Sequence, residues 1–115
     1  MFEIFPSNAR GSGEQSFSAV KNGIPILTCR FHISDDKARI ISFEKEKNNE
    51  EMSTESEEMI SFLTVRAVLS FMENCGAAFC FCPDRILSPD LAAKCRFLPC
   101  ENGDHIFIFH NESKK

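Results

Sequence analysis

A chain of 115 residues holds one domain with one core, and its 43% hydrophobic and 26% charged residues exclude a disordered protein. The net charge of -4 argues against a nucleic-acid binder, which would carry a basic patch, and against an anionic membrane surface. No apolar run is long enough to span a bilayer. The opening MFEIFPSNAR has no basic region followed by a long apolar stretch, so no signal peptide is expected. Six cysteines in such a chain point to reduced thiols and a cytoplasmic address. Phe occurs twelve times, while Tyr and Trp are absent. The aromatics therefore serve packing, and one common general acid is missing.

In chain order, FEIF predicts a short strand, followed by a loop marked by Gly11, Ser12 and Gly13. FSAV predicts a second strand. KNG carries the Asn-Gly pair of a tight hairpin turn. IPILTCRFHIS alternates, with Leu27, Cys29, Phe31 and Ile33 on one face and Thr28, Arg30 and His32 on the other. SDDK is a polar turn. ARIISFEKEK then closes a meander, with Ile41 and Phe43 on one face and Ile40, Ser42 and Glu44 on the other.

Residues 46–58 are the most acidic segment and read as a solvated loop. Thr54 and Glu57 have capping-box spacing, which predicts a helix from about Glu57 to Cys75 with Gly76 as its stop. That helix is apolar beyond a single stripe, so burial on most sides is expected. AAFCFC follows as a wholly apolar strand, suited to a central position and parallel pairing. Ser88 and Pro89 predict the cap and first position of a second helix. The chain ends on a hairpin around Asn102 and Gly103. Its last strand alternates Ile106 and Ile108 against Phe107 and Phe109, bracketed by His105 and His110.

Two stretches carry a resemblance. VRAVLSFMENCGAAFCFC is a long helix, then Asn-Cys-Gly, then a buried strand. LAAKCRFLPCENGDHIFIF is a short helix with a lysine and an aromatic, then a hairpin. Together they resemble the cofactor-side helix, the following strand and the closing segment of the GNAT acyltransferase superfamily, over roughly residues 57–109. The meander from Phe17 to Lys47 fits the family's preceding strands in order. The resemblance implies a single α+β domain over 1–115: a mixed sheet, a long central helix and a reduced N-terminal part. About sixteen residues stand where the family has a strand and one or two helices.

It also implies a function: acyl-CoA-dependent N-acetyl transfer to a small amine or peptide. Acetyl-CoA would pair its pantetheine with backbone near Ile41, Ser42, Phe43 and Glu44. Its phosphates would lie at the helix entrance, among Glu57, Glu58, Met59, Ile60 and Ser61. A helix N-terminus offers unpaired N–H groups and partial positive charge. Here the entrance departs from the family pattern. No glycine stands near Ser56, Met59 or Ser61, and two carboxylates do. A carboxylate about 4 Å from a phosphate charge costs roughly 4 kcal/mol at an effective dielectric near 20. The same acids also suit a plain first helical turn. The family's frequent tyrosine on the second helix falls near Ala92, and the small residue before the closing aromatic is Arg96.

Glu44, on the third meander strand, is the expected general base, and His32 on the neighbouring strand its assistant. Both residue types also occur routinely on exposed strand faces. Cys80, Cys82, Cys95 and Cys100 could be a metal site, but buried Cys commonly packs as a small hydrophobe, and no metal is expected. Cys95 between Lys94 and Arg96 is the one candidate for an activated thiol. Two other classes stay open: a non-catalytic module of the same fold that forms homodimers or binds a partner, and a thiol or metal protein.

Overall fold

The computed structural model describes residues 2–7, 14–45 and 54–109. The Gly11–Gly13 loop, His110 and residues 46–53 of the acidic segment lie outside the described residues, as does the Thr54 side chain. The elements are β1 (Phe2–Ser7), β2 (Glu14–Lys21), β3 (Ile24–Ser34), β4 (Lys37–Lys45), α1 (Thr54–Asn74), β5 (Phe79–Cys82), α2 (Pro89–Lys94), β6 (Leu98–Pro99) and β7 (His105–Ile108).

The strands form one mixed sheet in the order β1-β2-β3-β4-β5-β7-β6. β1 to β4 make an antiparallel meander. Asn22 and Gly23 both take positive φ, 55 and 80°, as a two-residue hairpin turn requires. α1 carries the chain over to β5, which pairs parallel with β4. α2 carries it on to β6, and β7 folds back between β6 and β5. Both crossovers advance the same way along the sheet. Right-handed connections therefore put both helices on one face.

The core fills that layer. Phe17, Phe31, Ala38, Ile40, Cys80 and Cys82 from the sheet meet Val65, Val68, Leu69 and Met72 of α1 and Ala92 and Cys95 of α2. Rings of Phe17, Phe31 and Phe71 touch pairwise, with centroids 5.5–5.9 Å apart. Among the described residues, no helix is long and apolar enough to cross a membrane.

Two expectations need correction. Strict alternation in β4 fails. The register to β3 shifts between Arg30 and Phe31, so Phe31 faces Ile40, Arg30 faces Ser42, and Ile41 is the extra residue of a bulge. Ile40 is consequently buried, and Phe43 packs against the core, while Ile41 turns to the other side of the sheet. Burial of α1 on most sides also fails. Met59 is 54% and Leu63 38% exposed, because the sheet covers only one side of the helix.

Candidate active-site cleft

β4 and β5 pair only from Lys37–Arg39 to Phe79–Phe81. Beyond Arg39, β4 runs on past its bulge with no strand paired on its β5 side among the described residues, and the two strands part. α1 begins beside the far end of β4, and α2 lies across the gap. The result is a cleft of about 400 Å³. Phe43 and Lys45 come from β4, Glu57, Glu58 and Ser61 from the entrance of α1, and Ser88, Asp90, Leu91 and Lys94 from α2 and its cap.

Local chemistry sets each wall. Ser88 caps α2 by accepting a hydrogen bond from the Leu91 N–H at 3.1 Å, with Pro89 at the first helical position. That cap aims Asp90, Leu91 and Lys94 so that they line the cleft. At the mouth, Lys45 Nζ donates to Glu57 Oε2. Phe43 and Leu91 supply apolar surface, while Lys45 and Lys94 oppose Glu57, Glu58 and Asp90 in charge.

Of the residues expected to hold a cofactor, the structure brings together Phe43, Glu57, Glu58 and Ser61. Ile60 is instead buried in a second core cluster with Ala19, Ile26 and Leu27. Met59 faces outward on α1, beside Glu55 and Phe62. Ile41 lies on the opposite sheet face, in a groove it shares with His32, and Ser42 is half-buried opposite Arg30. Glu44 is exposed opposite Thr28, whereas His32 pairs with Arg39. Four β3 positions separate them, roughly 13 Å, so they are not neighbours.

Lys45, Ser88, Asp90, Leu91 and Lys94 were not legible as site residues. Ser88 was readable only as a cap, and Lys45 only as part of a charged strand end. The position expected to match a tyrosine, Ala92, is wholly buried, and Leu91 is the α2 side chain that faces the cleft.

The thiols are core groups. Burial pushes Cys29 and Cys80 well above the usual thiol range, Cys82 up to about 12 and Cys95 up to about 11, despite the lowering influence of Arg66 on Cys95. Cys95 is thus the opposite of an activated nucleophile. Among the described residues, no group of three or more His, Cys, Asp or Glu is arranged to hold a metal ion.

No family model matches the sequence, and no curated protein sequence matches it. Solved structures do match the fold. One is the ribosomal-protein-S18-alanine N-acetyltransferase of Escherichia coli, at 11% identity and TM-score 0.71, covering 100% of this chain and 99% of that one. A second is a GNAT acetyltransferase of Brucella melitensis solved with acetyl-CoA, at 12% identity and TM-score 0.61, covering 84% of this chain and 59% of that one. A third is aminoglycoside 6'-acetyltransferase type Ii, at 14% identity and TM-score 0.64, covering 86% and 72%. The parting strands, the crossover helix and the inserted last strand make this the fold of the GNAT N-acetyltransferases.

Proposed function

We propose that the cleft binds an acyl-CoA and that the chain is an acyl-CoA-dependent N-acetyltransferase acting on an amine. The observation that carries this is the parting of β4 from β5 beyond Arg39, with the α1 entrance at the mouth of the gap. An extended amide-bearing arm fits a strand edge left without a partner, since backbone groups there supply hydrogen bonds. Phe43 and Leu91 would flank that arm, and Lys45 and Lys94 would meet the phosphates. The acyl-CoA would supply the activated acyl group: the amine nitrogen would bond to the thioester carbon as the C–S bond breaks, and coenzyme A would leave as its thiol. Glu44 lies next to Phe43 on β4 and points to the other side of the sheet, the side from which an acceptor amine would approach. There it would take the amine's proton. The four thiols packed in the core support a reducing, cytoplasmic setting.

A second reading, a non-catalytic module of the same fold, is favoured by the groups at the cleft. Leu91, an apolar residue, faces the cleft from α2, and Glu57 and Glu58 stand where phosphates would lie. Titration calorimetry with acetyl-CoA separates the readings first. Micromolar binding supports the cofactor site, and absence of binding at millimolar ligand removes it. Turnover with an amine panel, lost on Glu44→Gln, supports catalysis and the base role. Binding without turnover on any amine selects the non-catalytic module.

A further inference from the structure

On the sheet face away from the helices, a groove of about 490 Å³ runs over β3, β4 and β5. Ile41 of β4 and Phe79 and Phe81 of β5 give it apolar surface, and His32, Lys37 and Arg39 give it polar groups. Register sets these side by side. Arg39 stands between His32 and Phe81, and Lys37 between Ser34 and Phe79.

The groove carries charge of one sign. Lys37 and Arg39 are exposed and have no ion pair among the described residues. No carboxylate lines the groove among the described residues. Glu14, which faces His32 from β2, is engaged by Arg30 at 3.4 Å. Asp35 and Asp36 stand in the turn beyond Lys37 and do not line the groove. In a chain of net charge -4 this is a local reversal. Two unengaged cations beside aromatic surface suit a ligand with an apolar body and an anionic group. Arg in particular holds a carboxylate through two parallel hydrogen bonds.

The groove also ends where it has to for an acceptor. Arg39 and Phe81 are the last parallel pair before β4 and β5 part, and Ile41 of the bulge follows at the edge of the gap. In the proposed function the thioester lies in that gap, and the acceptor approaches from this open side. Glu44 is on the same face as Arg39. It stands opposite Thr28, and Arg39 opposite His32, four β3 positions away or roughly 13 Å. An acceptor that meets both therefore holds its amine and its anion a comparable span apart, about three to four residues of extended chain. A free amino acid carries both groups on one carbon and is too short.

We propose that this groove seats the body of the acceptor, and that the acceptor is a peptide with a free amine at its start and an acidic side chain about three residues further on, held by Lys37 and Arg39. The inference rests on the acetyltransferase reading and names the substrate class for it. Lys37 and Arg39 are specificity residues here: they choose among amines by charge and take no part in the transfer itself.

The test is calorimetric titration of three tetrapeptide amides with free amino termini, Ala-Ala-Phe-Glu, Ala-Ala-Phe-Gln and Ala-Ala-Phe-Lys, into the full chain saturated with coenzyme A. Acetyl-CoA binding is measured separately. The glutamate peptide is expected to bind about five- to tenfold more tightly than the glutamine peptide, and the lysine peptide more weakly than either. The double variant Lys37→Glu, Arg39→Glu changes two exposed positions, and circular dichroism checks its fold. It is expected to reverse that order, which a merely structural role for the two residues would not do. Free glutamate is expected not to compete. Three peptides bound alike, or none bound, overturn the inference, as does an order that the double variant leaves unchanged. Competition by free glutamate overturns the span assigned to the acceptor. If acetyl-CoA itself does not bind, the acetyltransferase reading fails and this inference with it. If acetyl-CoA binds and the peptides show no charge preference, this inference alone fails.

Discussion

Lys45 and Glu57 join the end of β4 to the entrance of α1 across the mouth of the cleft. In the proposed function the lysine is one of two cations, with Lys94, that would meet the phosphates, and its partner is one of the acids that would repel them. In that reading Glu57 holds the lysine that an anion would otherwise engage. An exposed pair of this kind contributes only about 0–1 kcal/mol to stability, so a ligand can displace it at small cost.

Removing the acid therefore helps an anionic ligand. Glu57→Gln is expected to raise the affinity for acetyl-CoA by about three- to tenfold, and Lys45→Ala to lower it by a similar factor. Both changes shrink in high salt, because the groups are solvent-exposed. Calorimetry at two ionic strengths reads all of this. An unchanged affinity in both variants places the phosphates elsewhere.

The three-ring contact of Phe17, Phe31 and Phe71 ties β2 and β3 to α1. Phe31 is fully buried. Phe31→Ala is expected to cost about 3–5 kcal/mol, the transfer term plus the cavity. Phe31→Leu keeps most of the volume and is expected to cost less than half of that. Urea unfolding compares them.

The buried thiols make stability depend on alkaline pH. In the unfolded chain each thiol ionises near pH 8.5 or so, whereas burial keeps Cys95 protonated to about 11 and Cys82 to about 12. Between those values the unfolded chain has lost a proton that the folded chain keeps. Stability is thus fully present below about pH 8.5 and falls as pH rises, by about 1.4 kcal/mol per pH unit for each such thiol. In the native state a thiol reagent is expected to modify Cys75, which is exposed, and Cys100, which is half-buried. Cys29, Cys80, Cys82 and Cys95 should react only on unfolding. Fast native labelling at any of these four would contradict their burial.

Local chemistry was legible where one short segment decides its own shape. Asn22-Gly23 fixes a hairpin, Ser88-Pro89 fixes a helix start, and the apolar run of β5 fixes a central strand with a parallel neighbour. The β4 bulge was not legible, because an extra residue in one strand is defined only against its partner. The exposure of Met59 and Leu63 was hidden for a related reason: an apolar helix reports what it can bury, not which layers exist to bury it. The cleft was half legible. Phe43, Glu57, Glu58 and Ser61 followed from the family resemblance. Lys45, Asp90, Leu91 and Lys94 reach it only because two strands separate and a helix fills the gap.

The β6–β7 turn offers a comparison between two glycines. Gly103 takes φ of 96°, and a Cβ there would come within 3.0 Å of Asp84 Oδ2. The neighbourhood is already committed: Asp104 Oδ1 accepts from the Asp84 N–H at 2.8 Å, and Asn102 Nδ2 donates to Asp104 Oδ2 at 3.1 Å. Gly23 has a similar φ of 80°, but nothing lies within 4 Å of its would-be Cβ. Gly23→Ala thus meets only the backbone cost of a left-handed residue, about 1–2 kcal/mol. Gly103→Ala meets that cost and must also push the Asp84 carboxylate aside, so it is expected to destabilise more. Thermal unfolding of the two variants side by side tests the difference. Equal losses would show that the Asp84 side chain swings away freely and that its bonds to the turn hold only the backbone.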